Sequence, residues 1–273
     1  MNTNDYLRNL DKWQAYSHPE LSNRRPEELF EAGFAELYNR LHEHLWARII
    51  RVHGTLYTLE QLEQFPFGYL YAPNHMEFWR LVIENFMDIV CLLLHGLVKD
   101  EGMDTLTIFY FKNKILKGPW LCPEKRDLLQ KILSERKFDE TLNGISNRVK
   151  EIRTNQVAHQ LIDRERGSPQ DAVAKVSFDE LKKLFYAIQN LFGALSFGAA
   201  YVTLTGDLMP ATRGGQPTRT CLDDVLDAVL RDSYFVNMPE RRAQWWSVDR
   251  EYMDAEELQV MNKLRKRVGL PEA

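Results

Sequence analysis

Apolar residues recur along most of this chain at alternating steps of three and four, the spacing that lines up one side of an α-helix. Phe30, Phe34, Leu37, Leu41, Leu45 and Ile49 mark a first long helix. It follows Arg24-Arg25-Pro26, where Pro26 suits the first helical position because that N–H has no helical partner anyway. Pro66, Gly68 and Pro73 then break the chain before a second helix from about Asn74. There Phe78, Leu81, Phe86, Ile89, Leu93 and Leu97 spread so widely that a central position is expected. Gly102, Gly118-Pro119 and Pro123 bracket shorter segments, the first of which, Leu106 to Leu116, reads as helix despite its Thr, Ile, Phe and Tyr content.

A further helix is expected from about Asp139, as N-cap, to the breaker run Arg166-Gly167-Ser168-Pro169, with Leu142, Ile145, Val149 and Ile152 as its apolar stripe. Ser177-Phe178-Asp179-Glu180 has the spacing of a capping box and opens a helix through Leu184, Ile188, Leu191 and Leu195 to about Ala200. Beyond Gly206 the composition shifts: Pro210, Gly214-Gly215 and Pro217 form a loop before a short helix at Leu222 to Leu230 and a terminal one around Asp254 to Val268. Sustained alternation of the strand type is absent. The reading is an all-α fold: an N-terminal arm over 1–25, a helical bundle over 26–206, and an irregular, partly helical C-terminal extension over 207–273 that packs on the bundle, anchored by Trp245 and Trp246.

One stretch departs from this regularity. After Ile152 the stripe of the fourth helix should continue with apolar residues, yet the next positions on it are Gln156, His159 and Asp163. At roughly 100° per residue these three fall within about 60° of one another and within the arc of Ile145 and Ile152. Polar groups on a buried seam cost free energy unless they are hydrogen-bonded or functional. Arg153 stands about one and a half turns before His159, so its long side chain can fold toward the imidazole and the two can converge on one anion. A second Arg and His pair, Arg48 and His53, has a plainer explanation, because Gly54 reads as a helix C-cap and a cation there meets the negative end of the helix dipole.

Composition narrows the chemistry. A hydrophobic content of 44% supports a buried core, and a net charge of −4 excludes nucleic-acid binding through overall basicity. Any RNA contact must therefore be local, and Arg148, Lys150, Arg153, Arg164 and Arg166 supply such a patch. Cys91, Cys122 and Cys221 are odd in number and widely spaced, which suits reduced core thiols rather than disulfides or a zinc site. His42, Glu43 and His44 read as a solvated patch, and neither His42 nor His75 has the paired spacing of a zinc-binding helix, so no metal and no cofactor are expected. The N-terminus lacks a basic segment followed by an apolar run, and the longest apolar stretch, Ile89 to Leu94, is far short of the roughly 20 residues that span a bilayer. A cytoplasmic protein without a membrane contact is expected.

The stretch from Arg153 to His159 resembles the motif of the HEPN superfamily, in which Arg and His on a bundle helix are separated by four to six residues; here the separation is five. Ala158-His159 followed by Asp163 is similar to the abortive-infection branch of that superfamily. The chain differs in carrying Thr154 directly after the Arg, with Asn155 one place later, where the family has Asn, Asp or His. The resemblance implies a HEPN-like helical bundle and a metal-independent endoribonuclease, acting as a toxin or antiphage effector restrained by an antitoxin or other regulatory protein. In that reading Arg153 and His159 are catalytic, and Thr154, Asn155, Gln156 and Asp163 line the site. RNA carries its own nucleophile, the 2′-hydroxyl, so cleavage needs a base, an acid and positive charge on the phosphate. One His cannot serve both ends at once, and a two-fold homodimer would supply a second copy. The alternative is a HEPN-like module that has lost catalysis and binds nucleic acid or protein.

Overall fold

The computed structural model describes residues 18–21, 24–65, 76–98, 105–154, 176–197, 212–213, 216–217, 221–232, 236 and 255–272. The protein is all-α. Among the described residues the α-helices are α1 (Ala32–Gln64), α2 (Met76–Val98), α3 (Ile108–Lys117), α4 (Pro123–Glu135), α5 (Phe138–Ile152), α6 (Phe178–Leu195), α7 (Cys221–Asp232) and α8 (Ala255–Arg267). One two-residue antiparallel ladder pairs Thr212–Arg213 with Gln216–Pro217. Trp245, Trp246 and residues 1–17 and 22–23 of the 1–25 arm lie outside the described residues.

The chain forms two compact units, one of Met1–Tyr57 with Phe86–Thr205 and one of Thr58–Asn85 with Gly206–Ala273. In the first, α5 packs against α4 and α6, and α3 against α6. Pro26 opens a separate single turn of 3-10 helix, Pro26–Glu28, rather than α1 itself. That turn places Phe30 opposite Trp120: Leu121 N–H donates to Leu29 O, Glu31 N–H donates to Pro119 O, and the two rings meet edge to face at 4.6 Å. Tyr38 and Trp120 bury their rings but satisfy their polar atoms, Tyr38 Oη donating to Leu195 O at 2.8 Å and Trp120 Nε1 to Ile115 O at 2.8 Å. Phe111, Phe192 and Phe197 complete this aromatic core.

Several expectations change in the fold. The buried stripe of α1 runs through Ala35, Tyr38, Leu45, Ile49, Val52, Leu56 and Leu59, with Phe34, Leu37 and Leu41 only half-buried on its flank. His42 fills the missing step of that stripe, stacked between Tyr38 and Trp46 and 4.9 Å from the ring of Phe192. Its Nε2 is buried without a hydrogen bond. The solvated patch is thus wrong for His42 and holds only for Glu43 and His44, which are exposed. Gly54 does not cap α1, which continues to Gln64 because Leu56, Leu59 and Leu62 keep burying its stripe. Arg48 consequently lies within the helix, its Nη1 donating to Leu106 O at 2.6 Å, and its guanidinium lies close against Gly96.

The second helix is not surrounded. Val90, Cys91, Leu94, Leu97 and Val98 are buried, whereas Phe78, Leu81, Ile89 and Leu92 are exposed. Glu77–Val98 is long and apolar enough to cross a bilayer by length and composition, with about a third of it buried, so the apolar run is longer than Ile89 to Leu94 suggests. Cys91 is a core thiol whose pKa burial pushes up to about 12, but Cys122 is half-exposed and donates to Glu124. Lys137, not Asp139, is the N-cap of α5, in the left-handed conformation at φ 54°, and Asp139 in the first turn pairs instead with the buried Lys112. Ser177 caps α6 as its spacing predicts, accepting from Glu180 N–H at 3.1 Å.

In the second unit, Leu226 and Leu230 of α7 and Met261 and Leu264 of α8 are buried. Asp227, only 2% exposed, is compensated by Arg267, whose Nε donates to it at 2.7 Å. Arg265 donates to the carbonyls of Val236 and Pro271, and α8 ends at Gly269, whose φ of 78° favours glycine.

Burial depresses the pKa of His42 and of His53 to about 4, from 6.5. Both stay neutral in the folded state while the unfolded chain takes up protons near pH 6.5, so stability falls as pH drops from 6.5 toward 4. Each histidine is expected to remove about 2 kcal/mol between pH 7 and pH 5. Urea unfolding at both pH values should show His42→Phe losing about 2 kcal/mol less than the wild type; identical losses would rule His42 out as a source of the acid sensitivity.

Candidate functional site

The site read from the sequence begins on α5. Leu142, Ile145, Val149 and Ile152 are all buried, as their spacing predicts, so one side of α5 is committed to the core up to Ile152. Arg153 retains right-handed helical angles, φ −57° and ψ −46°, and its N–H is shared between the carbonyls of Val149 and Lys150. At Arg153 and Thr154 the helix widens to the π form. Arg153 and Thr154 are half-buried; Asn155, Gln156, His159, Asp163, Arg164 and Arg166 lie outside the described residues.

Of the basic patch, Lys150 is exposed and Arg148 is engaged. Arg148 Nε and Nη2 donate to the two carboxylate oxygens of Glu180 at 2.6 and 3.1 Å, and Nη1 lies 3.0 Å from Glu151. A phosphate at Arg148 would have to compete with both carboxylates. Glu180 also belongs to the Ser177 cap, so the fork joins the middle of α5 to the first turn of α6. Hydrogen bonds from Arg148 hold the Glu180 carboxyl below the ordinary range against the opposing effect of partial burial. Sequence spacing did not reveal this pairing, because residues 32 apart meet only through the packing of α5 on α6.

Two buried polar atoms near this helix pair lack hydrogen-bond partners, Ser146 Oγ on α5 and Asn190 Oδ1 on α6. Asn190 borders a small cavity of about 110 Å³ with Ile132, Phe138 and Leu191. Among the described residues no group of three or more His, Cys, Asp or Glu side chains is arranged to hold a metal ion.

The Arg148 and Glu180 side chains are each about a third exposed, so their two hydrogen bonds are screened, and Arg148→Gln is expected to cost about 1 kcal/mol at pH 7. Because the carboxyl pKa is depressed in the folded state, this contribution is present above the unfolded value and lost as pH falls through the folded one. The difference in denaturant midpoint between wild type and Arg148→Gln should therefore shrink from pH 7 to pH 3; a difference of undiminished size at pH 3 would assign it to packing rather than charge.

Searches with the chain match no protein family model, no curated protein and no solved structure, so the functional reading stands on its residues alone.

Proposed function

We propose that this protein is a metal-independent endoribonuclease of the HEPN type. Arg153 neutralises the scissile phosphate and His159 moves the proton of the attacking 2′-hydroxyl or of the leaving oxygen, with a second copy of the pair supplied across a two-fold dimer. The observation that carries the reading is the position of Arg153, on the turn that follows the last buried residue of the α5 stripe and that departs from regular α-geometry. Wide turns of this kind recur at functional sites. The RNA substrate is cytoplasmic in this proposal, and a protein partner restrains the toxin or antiphage activity.

A second reading, a HEPN-like module that binds RNA or protein without cutting, is favoured by the carboxylates that hold Arg148 and by Thr154 directly after the Arg. Turnover separates the two. Purified protein incubated with total cellular RNA in EDTA is expected to leave 2′,3′-cyclic phosphate ends, and His159→Ala and Arg153→Ala, both still folded by circular dichroism, are expected to leave the RNA intact. Cleavage by either variant at the wild-type rate would sink the nuclease assignment; RNA retained on the wild type without cleavage would favour the binding module.

A further inference from the structure

Acidic residues outnumber basic ones in this chain, 39 to 35, yet Thr105 to Pro123 contains no Asp or Glu and carries Lys112, Lys114 and Lys117. Lys112 is buried and committed to Asp139. Lys114 and Lys117 are exposed, and among the described residues neither is bonded to a carboxylate; Lys114 Nζ lies 5.2 Å above the ring of Tyr110. On α3, Tyr110, Asn113, Lys114 and Lys117 stand at i, i+3, i+4 and i+7, which aligns them on one face. All four border a cleft of about 620 Å³ whose opposite wall is Phe34 and Leu37 of α1. The volume falls in the range of small-molecule sites, which take roughly 300 to 1,000 Å³. Gly118 shapes the wall, because a Cβ there would collide with the Phe34 ring.

The cleft thus joins three aromatic rings, Phe34, Phe109 and Tyr110, with one side-chain amide and two ammonium groups. An anion there would meet the C-terminal end of the α3 dipole, worth roughly half an elementary charge, but two full positive charges outweigh it. A flat apolar body suits Phe34 and Tyr110, an amide that both donates and accepts suits a base edge, and the lysines suit a phosphate. We infer that this cleft binds a nucleoside phosphate, base against Phe34 and Tyr110 and phosphate on Lys114 and Lys117, the nucleotide being free or one unit of a single-stranded RNA. Base stacking on aromatics beside lysines is how single strands are held without sequence readout. The inference is independent of the nuclease reading, since none of these residues belongs to the Arg153 region.

The test titrates the full chain with AMP, adenosine and inorganic phosphate by calorimetry, and with a fluorescein-labelled uridine dodecamer by anisotropy. The variants are Lys114→Glu/Lys117→Glu, Tyr110→Ala and, as a charge control, Lys131→Glu on the exposed side of α4. Binding of AMP assigns a free nucleotide, and binding of the dodecamer alone assigns a unit within RNA. In either case the double lysine variant should bind at least 10-fold more weakly, Tyr110→Ala should be weakened and Lys131→Glu should match the wild type; where AMP binds, adenosine should bind less well than AMP. The inference is overturned if neither probe binds, if the double variant binds like the wild type, if Lys131→Glu weakens binding as much, or if inorganic phosphate binds as tightly as AMP. Cleavage in EDTA by the same variants reads the nuclease separately.

Discussion

The packing of Phe30 against Trp120 and Tyr38 is the constraint on which the first unit depends. These rings bring together the turn before α1, the end of α3 and the end of α6, segments far apart in the chain. An aromatic core of this kind supplies large buried area, but only if each polar tip finds a partner, and both do so on backbone carbonyls. Both carbonyls, Leu195 O and Ile115 O, are in the last turns of their helices, and Ile115 O accepts from Gly118 N–H as well as from the indole. The ring cluster and the helix ends therefore satisfy each other.

The same core explains the state of His42. A neutral imidazole is flat and apolar on its faces, so it can occupy a seam position between Tyr38 and Trp46, at the cost of burying Nε2 without a partner. Charging it there would add a desolvation penalty, and that is the physical origin of its depressed pKa. No catalytic role follows from the shift, because burial alone accounts for it. The motif helix obeys a different balance. One side of α5 is buried through Ile152, while Arg148 reaches across to Glu180, so α5 is held both by apolar contact and by a charged fork on the first turn of α6.

Much of this architecture was legible in the chain. The all-α class, the stripe of α5, the Ser177 cap and the helical nature of Ile108–Lys117 follow from residue spacing, because helix period and capping are local properties. The sequence also singled out Gln156, His159 and Asp163 as polar positions on the continuation of an apolar stripe, and these lie outside the described residues.

Tertiary structure decided what local rules cannot. Tyr38 and His42 count as polar in a periodicity, yet packing made them part of the α1 seam, and Gly54 did not end that helix because burial on both sides of it outweighed the roughly 1 kcal/mol that a glycine costs in a helix interior. Arg148, read as part of a local basic patch for RNA, meets Glu180 only because α5 lies on α6. The breadth of apolar residues on α2 could not reveal which of them the fold would cover, and Phe78, Leu81, Ile89 and Leu92 stayed exposed. The cleft between α1 and α3 is likewise a product of packing, since Phe34 and Lys117 have no relation along the chain. Sequence determined the helices, through period and capping; which faces are covered and which charges are already paired depended on long-range contacts that periodicity does not encode.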